Sequence, residues 1–224
     1  MKKEIIIGVI VGVVILAGAG WYFYVSNGVN QSGQIPPVTT VQNDLPGQKT
    51  LQIVSNASRA TYELNEELQG KPTHVVGSTN QVTGNIVLKT TSPQTIAIGP
   101  VYIDASTFRT DIPNRDENVQ ELILKSNQRA NRFITFTTTN ITGVPKTIEM
   151  DKDFPVTITG DMTILGITKP VTFKGVANLS NDTVLKINAS TVVTYGDFGV
   201  VVPNFSFLTN VDKTVKLNIS LVAK

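Results

Sequence analysis

From residue 57 onward, apolar and polar residues alternate along much of the chain. Leu185, Ile187, Ala189, Thr191, Val193 and Tyr195 are interleaved with Lys186, Asn188, Ser190 and Thr194. Val215, Leu217, Ile219 and Leu221 alternate with Lys216, Asn218 and Ser220. Val171, Phe173, Ala177 and Leu179 do so with Thr172, Lys174 and Asn178, and Val156, Ile158, Met162 and Ile164 with Thr157, Thr159, Asp161 and Thr163. A period of two with one apolar face is the signature of half-buried antiparallel strands. Further strands are predicted over Thr61–Leu68, His74–Lys89, Thr95–Ser106 and Phe133–Thr142. Breaks at Gly143-Val144-Pro145, at Gly166 through Pro170 and at Ser180-Asn181-Asp182 separate several of them. Many strands with short turns imply a sandwich or a barrel.

One stretch departs from this period. Asn114 through Leu124 has helical spacing, with Val119, Leu122 and Ile123 on one face. Asn114 is placed to cap a short helix, and Asp116 and Glu117 suit its first turn.

The N-terminus follows another pattern. Ile5 to Val25 is almost wholly apolar, and 21 helical residues rise about 31 Å, enough for a bilayer core. Lys2 and Lys3 precede the run without a basic cluster after it, which predicts a cytoplasmic N-terminus and an exported remainder. Trp21, Tyr22 and Tyr24 suit the far headgroup layer. Ala17-Gly18-Ala19-Gly20 offers small residues for a cleavage site, yet the apolar run continues through Val25, which favours an uncleaved signal-anchor over a signal peptide. The polar stretch that follows, with Pro36-Pro37 and Pro46-Gly47, reads as a flexible spacer. The expected organisation is thus an anchor over 1–25, a linker over 26–55 and a β-domain over 56–224, outside the cytoplasm on a cell membrane.

Composition narrows the chemistry. The 224 residues are 41% hydrophobic and 16% charged, which suits a packed core. With 19 basic and 17 acidic residues the net charge is +2, no basic stripe stands out, and nucleic acid is not an expected partner. There is no cysteine, which excludes disulfides, thiolate nucleophiles and an N-terminal lipidated cysteine. His74 is the only histidine, so neither a typical zinc site nor a Ser-His-Asp triad is available, and it reads as a surface residue. Asp197-Phe198-Gly199 spells a kinase magnesium motif without the motifs that accompany it in kinases, and reads as a turn. Asp151, Asp153 and Asp161 lack the glycine and terminal glutamate of a calcium loop. Several Asn-x-Ser/Thr sequons, including those at Asn140 and Asn218, are expected by chance in a sequence so rich in Asn, Ser and Thr. No catalytic residue, metal site or cofactor is expected. By themselves the apolar faces fit a filled core.

The run Gly160 to Val171, GDMTILGITKPV, resembles the G-D-L-T-I-x-G-V-T-K-P-V stretch of the YceI family of polyisoprenoid-binding, lipocalin-like barrels. Val76-Gly77 with Val82 to Ile86, Thr110 with Arg115-Asp116, Phe133 to Phe136, and Tyr195 to Gly199 resemble other family segments in the same order. Two positions depart from the pattern. Arg132-Phe133 stands where the family has Tyr-Pro, and Thr194-Tyr195 lies where it has arginine before D-F-G. The resemblance implies an extended eight-stranded antiparallel barrel around an apolar pore, with an isoprenoid chain as ligand. An eight-stranded barrel is just wide enough for one slender ligand. An isoprene unit contributes roughly 3–4 kcal/mol gross when buried, so several units overcome an association cost of about 4–15 kcal/mol. Such a site needs no specially placed polar residue.

The expected ligand is therefore a prenyl quinone or another polyprenyl lipid. The interior positions expected to face it are Phe136, Ile164, Phe173, Ala177, Val193, Tyr195, Leu217 and Ile219, with Phe198 at the mouth. Two alternatives stand beside a carrier: a structural or adhesive surface domain with a filled barrel, and an enzyme acting on a lipid in the pore. The last lacks a nucleophile–base pair.

Overall fold

The structure is a computed structural model describing residues 46–92, 94–180 and 183–224. The predicted anchor and most of the predicted linker lie outside the described residues. Among those described, no helix is long and apolar enough to cross a membrane.

The chain is mainly β and forms a nearly closed antiparallel barrel. Its strands are β1 (Gln48–Gln52), β2 (Arg59–Leu68), β3 (Lys71–Thr79), β4 (Val82–Thr83), β5 (Asn85–Lys89), β6 (Thr95–Ile98), β7 (Val101–Asp104), β8 (Phe133–Thr142), β9 (Asp153–Ile164), β10 (Ile167–Ser180), β11 (Val184–Thr194), β12 (Leu208–Thr209) and β13 (Thr214–Ala223). The main sheet runs β12-β2-β13-β11-β10-β9-β8-β7-β4, with β3 also paired to β2; β1, β5 and β6 form a second, three-stranded sheet. The pairing of β2 with β13 joins the first long strand to the last.

Two hairpins owe their register to two-residue turns. Leu165-Gly166, with φ of +51° and +75°, joins β9 to β10, and Gln69-Gly70, with φ of +52° and +75°, joins β2 to β3. Positive φ at both central residues is what a type I′ turn requires, and that turn matches the twist of the strands it connects. The register then follows: Ile164 faces Ile167 and Leu68 faces Lys71.

The structure corrects the predicted elements in four places. The run His74–Lys89 is not one strand but ends β3 and then forms β4 and β5. The β4–β5 break falls at Gly84, whose backbone approaches so closely that a Cβ would lie 2.8 Å from the Pro100 carbonyl. Thr95–Ser106 is split at Gly99-Pro100, where the Gly99 N–H donates to Asn85 O at 2.9 Å. These breaks turn two predicted strands into five, and with β1 and β12, which were not predicted, the count reaches ten in the main sheet and three in the second. The third correction is β1, which lies inside the stretch predicted as linker. It is too short to display a period, yet Leu51 and, just past its end, Ile53 are buried, and Gln52 and Lys224 exchange backbone hydrogen bonds of 2.8 and 3.0 Å.

The fourth concerns the helix. Helix α1 (Pro113–Asn118) starts on Pro113, with Ile112 rather than Asn114 at the N-cap. A proline costs nothing at the first helical position because that N–H has no intrahelical partner. The helix then widens into a π-turn over Val119–Ile123. Asp116 is buried rather than solvated in the first turn; its Oδ1 accepts from both the backbone N–H and the hydroxyl of Thr110, each at 2.7 Å.

The interior has two parts. Toward the β1–β5–β6 end, Leu51, Ile86, Leu88, Phe154, Leu179, Leu185 and Ile187 pack among themselves. Toward the end carrying the two type I′ turns, the apolar side chains enclose space.

Candidate functional site

That space is a cavity of about 570 Å³, joined to a narrower one of about 90 Å³. Tyr62, Phe108, Ile134, Ile164 and Leu217 line both, so the two form one tapering tube. The wide chamber is walled by inward residues of β2, β3, β11 and β13, among them Leu64, Leu68, Val75, Val193 and Val215. Ile123 and Leu124, at the end of the π-turn, cover one side. The narrow chamber ends among Phe136, Ile158, Met162, Phe173, Ile187 and Leu221.

Alternation in the strands sets these directions, but two aromatic pairs set the bore. Phe136 and Phe173 meet edge to face at 5.4 Å and 86°, and Tyr62 and Phe108 at 5.3 Å and 64°, an arrangement favoured by the ring quadrupoles. Phe136 lies across β9 because Gly160 has no side chain; a Cβ there would sit 2.7 Å from its Cζ.

The mouth is formed by the segment between β11 and β13. A 3₁₀ turn, Tyr195–Phe198, ends at Gly199 with φ of +66° and buries Phe198 against the chamber. Val200, Val202, Phe205, Phe207 and Leu208 follow along the rim. Phe205 and Phe207 stack at 5.2 Å, and the Phe207 carbonyl accepts from Gln69 N–H at 2.8 Å, which ties the segment to the β2–β3 turn.

Polar groups gather on one side of the wide chamber: Glu66, Gln69, Asn114, Arg115 and Asn118. Arg115 donates to Glu66 Oε1 at 2.9 Å and to Asp111 Oδ1 at 2.6 Å. Tyr62 and Tyr195 add hydroxyls to the lining, and that of Tyr62 is buried. Burial, with the nearby Asp116 carboxylate, pushes the Tyr62 hydroxyl well above the ordinary range, so it stays protonated.

Of the nine residues singled out from the sequence, eight line the tube: Val193, Tyr195 and Phe198 the wide chamber, Phe136, Phe173 and Ile219 the narrow one, and Ile164 and Leu217 both. Ala177 does not. It is buried opposite Phe154 and Ile187, in the packed end beyond the tube. Sequence reasoning missed Tyr62, Leu64 and Leu68, although Ala60, Tyr62, Leu64 and Leu68 alternate visibly. It also missed Phe108, Ile112, Phe205 and Phe207, which sit in irregular segments where no period operates. His74 is exposed, with Nδ1 3.0 Å from Asn65 Oδ1. Asp151, Asp153 and Asp161 are exposed, and among the described residues no group of three His, Asp or Glu side chains is placed to hold a metal ion.

Comparison with known proteins agrees with this architecture. A polyisoprenoid-binding domain from Saccharophagus degradans, implicated in plant cell wall breakdown, superposes with a TM-score of 0.61 at 12% identity, over 78% of this chain and 97% of that one. BcnA of Burkholderia cenocepacia gives 0.56 at 15% identity, over 77% and 99%. The YceI protein of Campylobacter jejuni gives 0.50 at 16%, over 65% and 82%. At these identities the likeness is one of fold. No curated protein sequence matches the chain. The family model of the YceI-like domain matches residues 51–223, from the end of β1 to the end of β13, and the chain belongs to that family.

Proposed function

We propose that this protein is a membrane-tethered, extracytoplasmic binding protein that holds a polyisoprenoid or similar long-chain lipid in its tube. The observation that carries the reading is the tapering cavity itself, about 570 Å³ and then about 90 Å³, with almost wholly apolar walls. Ligand pockets of a few hundred Å³ with apolar walls and a few convergent polar groups are the usual form of a small-molecule site. The likeness to the polyisoprenoid-binding domain of Saccharophagus degradans supports the same ligand class. The tether rests on the Lys2-Lys3 and Ile5–Val25 pattern.

Binding rather than catalysis is the proposed activity. The described lining of the wide chamber includes no Ser, Thr, Cys, His or Lys, and its carboxylate Glu66 is paired with Arg115. The structural or adhesive alternative calls for a filled barrel throughout, whereas packing is complete only at one end. The test is mass spectrometry of lipids extracted from natively purified full-length protein. A stoichiometric prenyl lipid is expected; a tube that returns no lipid, and that takes up no added prenyl quinone, would overturn the reading.

A further inference from the structure

The polar side of the wide chamber carries information about the ligand's head. Arg115 is the only cation lining that chamber among the described residues. Both of its terminal nitrogens are engaged, one by Glu66 and one by Asp111. The Arg115 side chain is 12% exposed and that of Glu66 8%, so this pair is largely shielded from water, whereas Asp111 stands at the surface. Asp116, the next residue along, is buried as well and hydrogen-bonded to Thr110. Two carboxylates thus engage one guanidinium, a formal local charge of −2 + 1 = −1, and the Asp116 carboxylate lies one residue further along the helix. The remaining polar lining groups on this side, Gln69, Asn114 and Asn118, are neutral amides that both donate and accept hydrogen bonds.

An arginine with free terminal nitrogens would suit a phosphate, since its fork matches phosphate oxygens. Here each terminal nitrogen already donates to a carboxylate, and the two carboxylates more than offset the guanidinium charge. A phosphate or diphosphate head entering the mouth would lose hydration, meet net negative charge and find no free cation in the described lining. An alcohol, quinone or quinol oxygen would lose little and find amides to pair with. We infer that the Glu66–Arg115–Asp111 lock makes this tube selective for lipids with an uncharged oxygen-bearing head, and that it discriminates against prenyl phosphates. The inference rests on the tube being a lipid site and adds the class of head group.

The test compares tritiated farnesol with farnesyl phosphate, titrated against the full chain in phosphatidylcholine nanodiscs, with empty discs subtracted. The alcohol is expected to bind about tenfold or more tighter than the phosphate. In Glu66→Gln/Asp111→Asn, and to a smaller degree in Asp111→Asn alone, the ratio of phosphate to alcohol affinity is expected to rise by about tenfold. Asp111 is largely exposed, so the single variant tests the lock without threatening the fold. Equal affinities in the native protein, or a ratio unmoved in the variants, overturn the head-group inference and leave the tube as a lipid site. Failure of both ligands to bind overturns the lipid reading, and the inference with it.

Discussion

The ring of Tyr62 lies flat over the bare Cα of Gly77, its partner across the β2–β3 pair, so closely that a Cβ on Gly77 would be driven into the ring. The glycine lets the ring lie back against the barrel wall. Gly77→Ala should therefore push Tyr62 into the tube, costing about 1–3 kcal/mol through overpacking and weakening lipid uptake. Thermal unfolding and a prenyl-lipid binding assay on the same sample check both effects.

The Tyr62 hydroxyl is buried and has no hydrogen-bond partner among the described residues. Tyr62→Phe removes that unpaired group and should raise stability by about 1 kcal/mol, or roughly 2–4 °C in Tm. Because burial raises the hydroxyl's pKa in the folded state, its protonated form stabilises the fold below the unfolded tyrosine value near 10. As pH climbs beyond that value the unfolded chain loses the proton first, and stability falls. The gain from Tyr62→Phe should thus widen above about pH 10, measured as denaturant midpoints against pH. A gain independent of pH would count against this account.

Arg132 donates to Asp104 Oδ2 from Nε at 3.0 Å and from a terminal nitrogen at 2.8 Å, while Asp104 is almost fully buried. Arg132 stands at one of the positions where the sequence departs from the resemblance, and its pairing with Asp104 gives that residue a structural role. Arg132→Leu leaves a buried carboxylate with only Ser106 as partner on its other oxygen. A loss of about 3 kcal/mol is expected, the low end for a buried pair because Arg132 is partly exposed. Restoration of stability in Arg132→Leu/Asp104→Asn would assign the loss to the orphaned charge.

Filling the tube should separate binding from folding. Val193 is half-buried on the wide chamber, so Val193→Phe should abolish prenyl-lipid retention at little cost in Tm. Ala177 sits in the packed end, and Ala177→Phe should destabilise by about 1–3 kcal/mol. Paired measurements of Tm and retained lipid check both, and loss of stability in the Val193 variant with lipid retained would argue that the chamber is no site.

The stacked Phe205 and Phe207 close part of the mouth from a segment with few strand contacts, and Phe207 is 45% exposed. Phe205→Ala/Phe207→Ala should leave Tm nearly unchanged and speed lipid release by about tenfold or more, since covering segments act mainly on dissociation. Stopped-flow transfer of a fluorescent prenyl lipid to acceptor vesicles reads that rate.

The wall strands were legible because each presents one face to the interior and one to water. Leu185, Ile187 and Ala189 announce β11 without help from the rest of the chain, and Phe133–Thr142 coincides with β8. What escaped was governed by distant partners. Five residues of β1 show no period and exist as a strand because β5 and Lys224 receive them. Ala177 and Leu217 belong to equally regular alternations; only the depth of each along the tube decides that one is packed and the other faces space. Glu66 carried a signal that went unused. It interrupts the apolar face of Tyr62, Leu64 and Leu68, and a carboxylate at such a position demands a counter-charge, which Arg115 supplies from 49 residues away.

The packed end gives the tube a floor. Leu51, Ile86, Leu88, Leu179 and Leu185 are almost wholly buried, and none lines either chamber. A tube closed at one end acts as a gauge: a chain that enters must stop at Phe136, Phe173 and Ile187, and whatever exceeds the available depth stays outside, against the rim where Phe207 and the 70% exposed Val201 stand. Selection among homologous polymers would then be by length. Short prenyl chains would leave the narrow chamber empty, chains that reach the floor would be held along their whole length, and longer ones would gain nothing further from the protein.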